Sequence, residues 1–172
     1  MQDRSRILVT SSRDATQQPS YLTVPEDLKA DRPMPLVVSL HPWSSDLDGS
    51  RNVELERLVD DRGWIYLWPN FRGRNDTPEA LGSELAQQDI LDAIDWVRER
   101  YPVDDNQIFL TGESGGGHMT MLMAGRYPDR WAAAVAWVGI SDLASWHETH
   151  KDGNYGEMIR LAVGGAPGAS QA

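Results

Sequence analysis

A serine set among glycines constrains this chain more than any other feature of its sequence. The stretch reads Thr111-Gly112-Glu113-Ser114-Gly115-Gly116-Gly117-His118 and follows an apolar run at 107–110. The residues after it, 119–127, have the composition of a helix. A serine at the tip of a sharp turn takes strained backbone angles, and its neighbours must lack side chains if strand and helix are to approach closely. The sequence therefore predicts a strand, a tight turn and a helix, with Ser114 at the turn.

The chemical interpretation of this turn rests on its spacing, Gly-x-Ser-x-Gly. Between a strand and a helix, this spacing is typical of the turn that carries the nucleophile of serine hydrolases. The alternatives are a purely structural turn and a glycine loop that binds phosphate. A Walker loop has Lys and then Ser or Thr after its last glycine, and His118-Met119 stands there instead. We therefore interpret Ser114 as a nucleophile.

The composition excludes several classes of partner. A net charge of −10 argues against a nucleic-acid partner, which needs a basic surface, and disfavours anionic membranes. The chain has no cysteine, so it has no disulfide, thiolate zinc site or cysteine nucleophile. The longest apolar run, 131–140, is too short to span a bilayer. Residues 1–6 lack the apolar core of a signal peptide, although a signal peptide could have been removed by processing. We expect a soluble protein with no membrane partner.

Strand and helix patterns alternate along the chain. We expect strands at 7–9, 21–24, 36–40, 64–68, 108–110 and 131–140, the third and last of them buried on both faces. We expect helices at 52–61, 83–101 and 119–127, one or two more within 141–172, and a loop at 164–168. This alternation predicts one α/β domain over 1–172, with a largely parallel sheet and helices on both faces. Functional sites in such sheets lie beyond the carboxyl ends of the strands, where the loops 41–45 and 112–117 fall.

Four segments give the chain a resemblance to the α/β-hydrolase superfamily. It looks most like the prolyl oligopeptidase-type serine hydrolases and the esterases related to them. The segments are Leu40-His41-Pro42-Trp43, Pro69-Asn70-Phe71-Arg72-Gly73, Gly112-Glu113-Ser114-Gly115-Gly116, and Tyr127-Pro128-Asp129-Arg130-Trp131 followed by Gly139-Ile140-Ser141-Asp142. The resemblance implies hydrolysis of carboxylic esters or peptide-like amides, with a small ester or peptide as substrate and no cofactor.

The resemblance also implies an oxyanion hole. Its donors are the backbone N–H of Gly115 and a second donor from His41, Pro42 or Trp43. The family usually has glycines after the histidine of this loop, so Pro42-Trp43 is a departure that leaves the second donor open. The Trp43 side chain could shape an acyl or aromatic pocket. His41 is expected to support the loop or donate to the oxyanion, and His118 is expected to be a helix residue packed beside the turn.

The acid and the histidine of the catalytic triad pose the main question. In the superfamily they follow the serine, on loops after two further strands. The sequence stops before those strands would begin, so it resembles the first two-thirds of a hydrolase domain that lacks the last strands and helices. The two groups are then missing, supplied by a partner chain, or recruited locally.

Local recruitment would use Asp142 with His147 or His150, which keeps the family's order of nucleophile, acid and histidine. Asp142 equally suits a helix N-cap. His147 and His150 share a helix face and could bind a metal, but no third ligand is indicated. A non-catalytic fragment or binding module is the alternative to an enzyme.

Three further expectations concern charge and assembly. Asp89, Asp92 and Asp95 should form a solvated helix face, with one of them bonding a nearby loop. Arg72 and Arg74 should hold loops by ion pairs or contact a substrate carboxylate. The strand at 132–139 would be an apolar edge, so we expect it to pair with another copy of the chain or to be covered by the C-terminal residues.

Overall fold

The computed structural model describes residues 4–165. Residues 1–3 and 166–172, which include part of the predicted loop at 164–168, lie outside the described part. The described strands are β1 (Ser5–Thr10), β2 (Gln17–Thr23), β3 (Met34–Leu40), β4 (Ile65–Pro69), β5 (Val103–Glu113) and β6 (Ala133–Trp137). The helices are α1 (Val53–Asp60), α2 (Glu84–Arg98), α3 (Gly115–Arg126), α4 (Leu143–His150) and α5 (Asn154–Val163), with a 3₁₀ turn at Pro128–Arg130.

The strands form one sheet in the order β1-β2-β4-β3-β5-β6. β1 and β2 pair in an antiparallel manner, and β2 is also antiparallel to β4. The other pairs, β3 with β4, β3 with β5 and β5 with β6, are parallel. The sheet is therefore largely parallel, as predicted, and its carboxyl-terminal edge gathers the loops that follow β3, β4 and β5.

Alternate side chains of the central strands enter different layers of the core. Leu36 and Val38 lie in the larger apolar cluster, with Ile90 of α2 and Met119 of α3. Val37 belongs to a second cluster, with α1 and β4 side chains. Because successive residues of a strand point to opposite faces, helices cover both faces of the sheet, as expected.

Side-chain caps explain where two helices begin. The Asn52 side chain accepts a hydrogen bond from the Leu55 N–H at the start of α1. Ser83 does the same for the Ala86 N–H at the start of α2. Such caps stabilise a helix by about 1 kcal/mol.

The last strand is an edge, as predicted, but it is not buried. β6 was expected to be buried, but its residues are exposed, with Val135 at 49% and Trp137 at 64%. β6 pairs with β5 on one side only and forms the edge of the described sheet. An apolar run cannot reveal whether a neighbour covers it, which is why the prediction of burial was wrong.

The expected solvated face of α2 is also wrong in part. Asp89 is buried and bonds Arg72 from the loop after β4, with Arg72 Nη2 3.2 Å from Asp89 Oδ1. Asp92 accepts hydrogen bonds from the Ser12 N–H and hydroxyl, so two carboxylates rather than one hold loops. No helix within residues 4–165 is long and apolar enough to cross a membrane.

Candidate active site

The turn between β5 and α3 has the predicted strained geometry. Ser114 lies between the last residue of β5 and the first of α3, at φ 54° and ψ −112°. Residues other than glycine rarely adopt such angles unless the surroundings fix them. Here the Ser114 N–H donates to the Trp137 carbonyl at 2.9 Å, and the Ser114 carbonyl accepts from the His118 N–H at 2.9 Å. Two backbone hydrogen bonds thus hold the serine at the tip of the turn.

The glycines of the turn are required by backbone contacts. A Cβ added to Gly115 would lie 2.5 Å from the Trp43 Cα, and one added to Gly117 would lie 2.8 Å from the Gly139 Cα. A Cβ on Gly116 would overlap the Leu40 carbonyl oxygen. Because these neighbours are main-chain atoms, no side-chain rotation could relieve the overlap. The glycines let α3 begin directly against the ends of β3 and β6.

Two backbone N–H groups at the turn are available to an oxyanion. The Trp43 nitrogen lies 2.6 Å from the position that a Cβ on Gly115 would occupy. Among the described residues, the Trp43 N–H has no hydrogen-bond acceptor. The Gly115 N–H belongs to the first turn of α3, where N–H groups lack a carbonyl partner within the helix. Pro42 has no N–H, so the geometry favours Trp43 as the second donor left open by the sequence.

His41 lies beneath this loop and is fully buried. Its ring stacks on Phe71, with the ring centroids 4.0 Å apart. Nε2 lies 2.7 Å from the Asn70 carbonyl oxygen, and Nδ1 lies 3.1 Å from the Pro42 carbonyl oxygen. Burial lowers the pKa of the imidazole. Both ring nitrogens face carbonyl oxygens of the two loops, so His41 supports the loop and is not placed to accept a proton from Ser114.

The Trp43 indole points away from the turn and into the layer under α4 and α5. It is 1% exposed and lies in a cluster with Ile140, Met158 and Ile159. Its Nε1–H has no partner among the described residues. Trp43 therefore contributes its backbone to the candidate site. Its side chain packs beneath α4 and α5.

His118 has the structural role expected of it. Its Nδ1 lies 2.8 Å from the Ile140 carbonyl oxygen, and its ring centroid is 6.1 Å from that of Trp43. Burial lowers the pKa of this imidazole as well. The ring ties α3 to the segment after β6.

The residues of the predicted compact triad have other contacts. The Asp142 carboxylate caps α4 by accepting hydrogen bonds from the Ala144 and Ser145 N–H groups at 2.9 and 3.0 Å. The His147 Nε2 lies 3.3 Å from the Arg160 Nη1. Within residues 4–165 no hydrogen bond joins Asp142 to a histidine, and none engages the Ser114 hydroxyl. The compact triad stays a prediction.

His150 lies in an aromatic cluster at the other end of α4. Its ring centroid is 4.8 Å from that of Trp146 and 5.8 Å from that of Tyr155. In the part of the chain that the structure describes, no three side chains of His, Asp or Glu are grouped so that they could hold a metal ion. The contacts of His147 and His150 are those of packed side chains.

A groove of about 550 Å³ adjoins the turn on the α1 side of the sheet. Its walls include Pro42, Arg51, Gly112, Glu113 and Trp137. This volume is within the range of sites that bind small molecules. A ligand in the groove would lie next to the residues that flank Ser114.

Sequence reasoning missed Asn75, which holds the loop after β3. Its N–H donates to the Trp43 carbonyl at 3.1 Å, and its Oδ1 accepts from the Leu81 N–H at 3.0 Å. Its side chain is buried, but it stands in a polar loop without periodicity. Arg72 holds its loop by ion pairs, as expected, while Arg74 is half exposed and pairs with Asp76.

Comparisons with known proteins identify the family of the chain. The model of the prolyl oligopeptidase family matches residues 53–164, more than half of the chain. The chain belongs to this family. Dipeptidyl aminopeptidase BIII of Pseudoxanthomonas mexicana is 34% identical over 148 residues, which are 77% of this chain and 21% of that protein. A probable acetylxylan esterase A of Aspergillus flavus is 39% identical over 128 residues, 70% of this chain and 41% of that protein.

Solved structures of prolyl oligopeptidase-type enzymes have the same fold. The acylaminoacyl peptidase of Pyrococcus horikoshii superposes with a TM-score of 0.75 at 20% identity, over 94% of this chain and 27% of that one. The predicted α/β-hydrolase fold and the family resemblance are thereby confirmed. The chain spans less than half the length of the two curated relatives named above.

Proposed function

We propose that this member of the prolyl oligopeptidase family is a serine hydrolase that acts on carboxylic esters or peptide-like amides through Ser114. The observation that carries the proposal is the strained turn at Ser114 beside two unengaged N–H groups, those of Trp43 and Gly115. The fold alone would not decide function, since one fold serves many reactions. The relatives named above are a peptidase and a probable esterase, which supports both esters and peptide-like amides as substrates.

The proposed chemistry starts with attack of the Ser114 Oγ on the carbonyl carbon of the substrate. The C–O bond forms as the carbonyl π electrons move onto oxygen, and the Trp43 and Gly115 N–H groups stabilise that oxyanion. The hydroxyl proton passes to a base as the Oγ–H bond breaks. Collapse of the intermediate breaks the bond to the leaving group, which takes up that proton and departs as the alcohol or amine, and an acyl-serine remains. Water then hydrolyses the acyl-serine to the carboxylic acid and restores the serine hydroxyl. Loss of one oxyanion donor typically lowers kcat by about 10² to 10³.

A serine hydroxyl also needs a base, and the contacts of the described residues bear on where that base comes from. His41 and His118 are bound to carbonyls, and Asp142 caps a helix. These contacts support a base and acid supplied by polypeptide outside the described residues, in a partner chain or in further sequence, over recruitment of Asp142 with His147 or His150.

The second candidate is a binding module or fragment without turnover. The observation in its favour is that the Ser114 hydroxyl has no hydrogen-bond partner among the described residues. Such a protein would keep the groove and the turn but lack the proton transfer that activates a serine.

A p-nitrophenyl ester assay separates the two candidates. We expect slow hydrolysis by the unmodified chain, because Ser114 lies beside the two unengaged N–H groups and can attack an activated ester with water as a weak base. Ser114→Ala should abolish this hydrolysis and the labelling of the protein by a fluorophosphonate. Equal rates for both proteins, with no label on Ser114, would exclude serine chemistry and favour the binding module.

A further inference from the structure

The loop after β4 is hydrogen-bonded to the loop after β3 at two points. At the first point, the His41 Nε2 lies 2.7 Å from the Asn70 carbonyl oxygen. At the second, the Asn75 N–H donates to the Trp43 carbonyl at 3.1 Å. The two points lie on either side of the peptide unit that joins Pro42 to Trp43, and that unit carries the Trp43 N–H.

Because the peptide unit between these two contacts is planar, the contacts fix the direction of the Trp43 N–H. A peptide unit is planar, so the direction of the Trp43 N–H depends only on the dihedral angles at its two ends. Proline fixes φ at residue 42. The His41 ring fixes the chain before this unit, and the bond to Asn75 fixes the peptide unit after it.

We propose that His41 and Asn75 are positioning residues that aim the Trp43 N–H at the developing oxyanion. This inference rests on the proposed hydrolase function and assigns the loop at 70–75 as the support of the oxyanion hole. Neither residue touches the substrate, because the His41 ring and the Asn75 side chain are both buried.

The supporting loop is itself fixed from below. Phe71 and Arg72 have positive φ values of 34° and 76°, a backbone conformation that is costly unless the surroundings fix it. The Arg72 guanidinium, only 4% exposed, pairs with Asp89 of α2 and with Asp14 at 2.8 Å. The Asn75 Oδ1 accepts from the Leu81 N–H. The loop at 70–75 is therefore held in place, and its hydrogen bond to the Trp43 carbonyl holds Trp43 in turn.

The tautomer of His41 decides which ring nitrogen donates a hydrogen bond. The acceptors on both sides are carbonyl oxygens, so only a ring N–H can bind them. The neutral ring has one N–H, and the shorter distance places it on Nε2, toward Asn70. Phenylalanine at this position would keep the stacking on Phe71 but remove the donor. Glutamine would keep an N–H near the Nε2 position but lose the aromatic ring.

The test compares His41→Phe and His41→Gln in two measurements. The first is hydrogen exchange of the Asn75 amide by NMR, relative to the Val97 amide in α2, which reports global unfolding. Losing the Asn70 contact should speed Asn75 exchange about tenfold in His41→Phe, while His41→Gln stays near the unmodified protein. The second measurement is the rate at which a fluorophosphonate labels Ser114. Misplacing the donor should slow it by about tenfold to a hundredfold in His41→Phe only.

Val97→Ala serves as the control for general destabilisation, because Val97 is fully buried in the main core and its carbonyl accepts from the Arg100 and Tyr101 N–H groups, not from these loops. It should lower the melting temperature without changing either measurement. Unchanged Asn75 exchange in His41→Phe, or equal effects of Phe and Gln, would overturn the inference. Faster exchange with an unchanged labelling rate would also overturn the positioning role. If the unmodified protein is not labelled at all, the proposed function fails, whereas the exchange comparison still decides whether His41 braces the loop.

Discussion

Ser114 is held at backbone angles that favour glycine, and within residues 4–165 no hydrogen bond of its own side chain offsets the strain. Strain of this kind costs about 1 to 3 kcal/mol per residue. We therefore expect Ser114→Gly to raise the free energy of unfolding by about 1 kcal/mol relative to Ser114→Ala, after allowing for the greater freedom of glycine in the unfolded chain. Urea denaturation of both variants measures the difference. A glycine variant less stable than the alanine variant would show that the turn is not strained.

Gly116 and Gly125 make a matched pair within α3. A Cβ at Gly116 would overlap the Leu40 carbonyl oxygen and lie 2.8 Å from the His41 carbonyl oxygen, whereas one at Gly125 would meet nothing within 4 Å. We expect Gly116→Ala to destabilise the protein by about 2 kcal/mol or more. Gly125→Ala should stabilise it by about 1 kcal/mol, since alanine favours helix. Denaturation midpoints provide the check, and equal shifts for the two variants would contradict the close approach of β3 and α3.

Individual residues show which site features a sequence can reveal. The glycines beside Ser114 were predictable because the spacing Gly-x-Ser-x-Gly between a strand and a helix is a local pattern. The backbone atoms that require these glycines, in Leu40, Trp43 and Gly139, lie far from them along the chain. The roles of His41 and Asn75 were not, because their partners, Asn70 and Trp43, are 29 and 32 positions away (70 − 41 and 75 − 43). Asn75 also lies in a loop, where no periodicity marks a buried position.

At the level of elements, α4 begins at a residue that was also a candidate catalytic acid. The Asp142 carboxylate accepts two N–H groups of the first turn. Because asparagine caps helices as well as aspartate does, Asp142→Asn should leave both stability and the labelling of Ser114 unchanged. Asp142→Ala should lower stability by about 1 kcal/mol. Loss of labelling in the asparagine variant, with stability kept, would instead support the compact triad with His147 or His150.

The ion pair between the β1–β2 turn and the loop after β4 should depend on pH. The hydrogen bond from Arg72 holds the pKa of the Asp14 carboxyl well below its usual range. A lowered pKa in the folded state stabilises the protein above the unfolded value of about 4, and this contribution is lost as the pH falls below it. Asp14→Asn should therefore be less stable than the unmodified protein at pH 7, and the gap should close in acid.

Urea titrations at several pH values between 7 and 2 measure that gap. Burial raises the pKa of the neighbouring Asp89, and the negative charge of Asp14 adds to this rise, so the gap reports Asp14 together with its effect on Asp89. A gap that stays constant across this pH range would contradict the assignment of the charge interaction to Asp14.

Sequence patterns misplaced the start of an element where that start depends on tertiary contacts. α3 begins at Gly115, four residues before the helix predicted at 119–127. Glycines have low helix propensity, but here the close contacts with Leu40 and Trp43 admit no other residue, so packing overrides propensity. The periodic helix α2, in contrast, was predicted, because its hydrophobic pattern is local.

At the scale of the whole molecule, alternation of strands and helices was enough to predict the α/β fold and its largely parallel sheet. What alternation could not supply was the environment of the last strand. β6 and the residue after it present large apolar side chains, with Val135, Trp137 and Val138 at 49% to 78% exposure. An exposed apolar edge strand is prone to pair with another edge.

We expect the chain to associate through the edge at 132–139, so that the sheet continues into a second copy. Light scattering coupled to size exclusion should give a mass that rises with concentration. Val135→Lys should shift the protein toward monomer, because a charged side chain at an edge opposes pairing. Leu8→Lys is the matched control: Leu8 is 55% exposed on β1, the opposite edge strand, and the substitution changes the net charge equally. Association lost in both variants would indicate a general charge effect, and a monomer at every concentration would exclude pairing through β6.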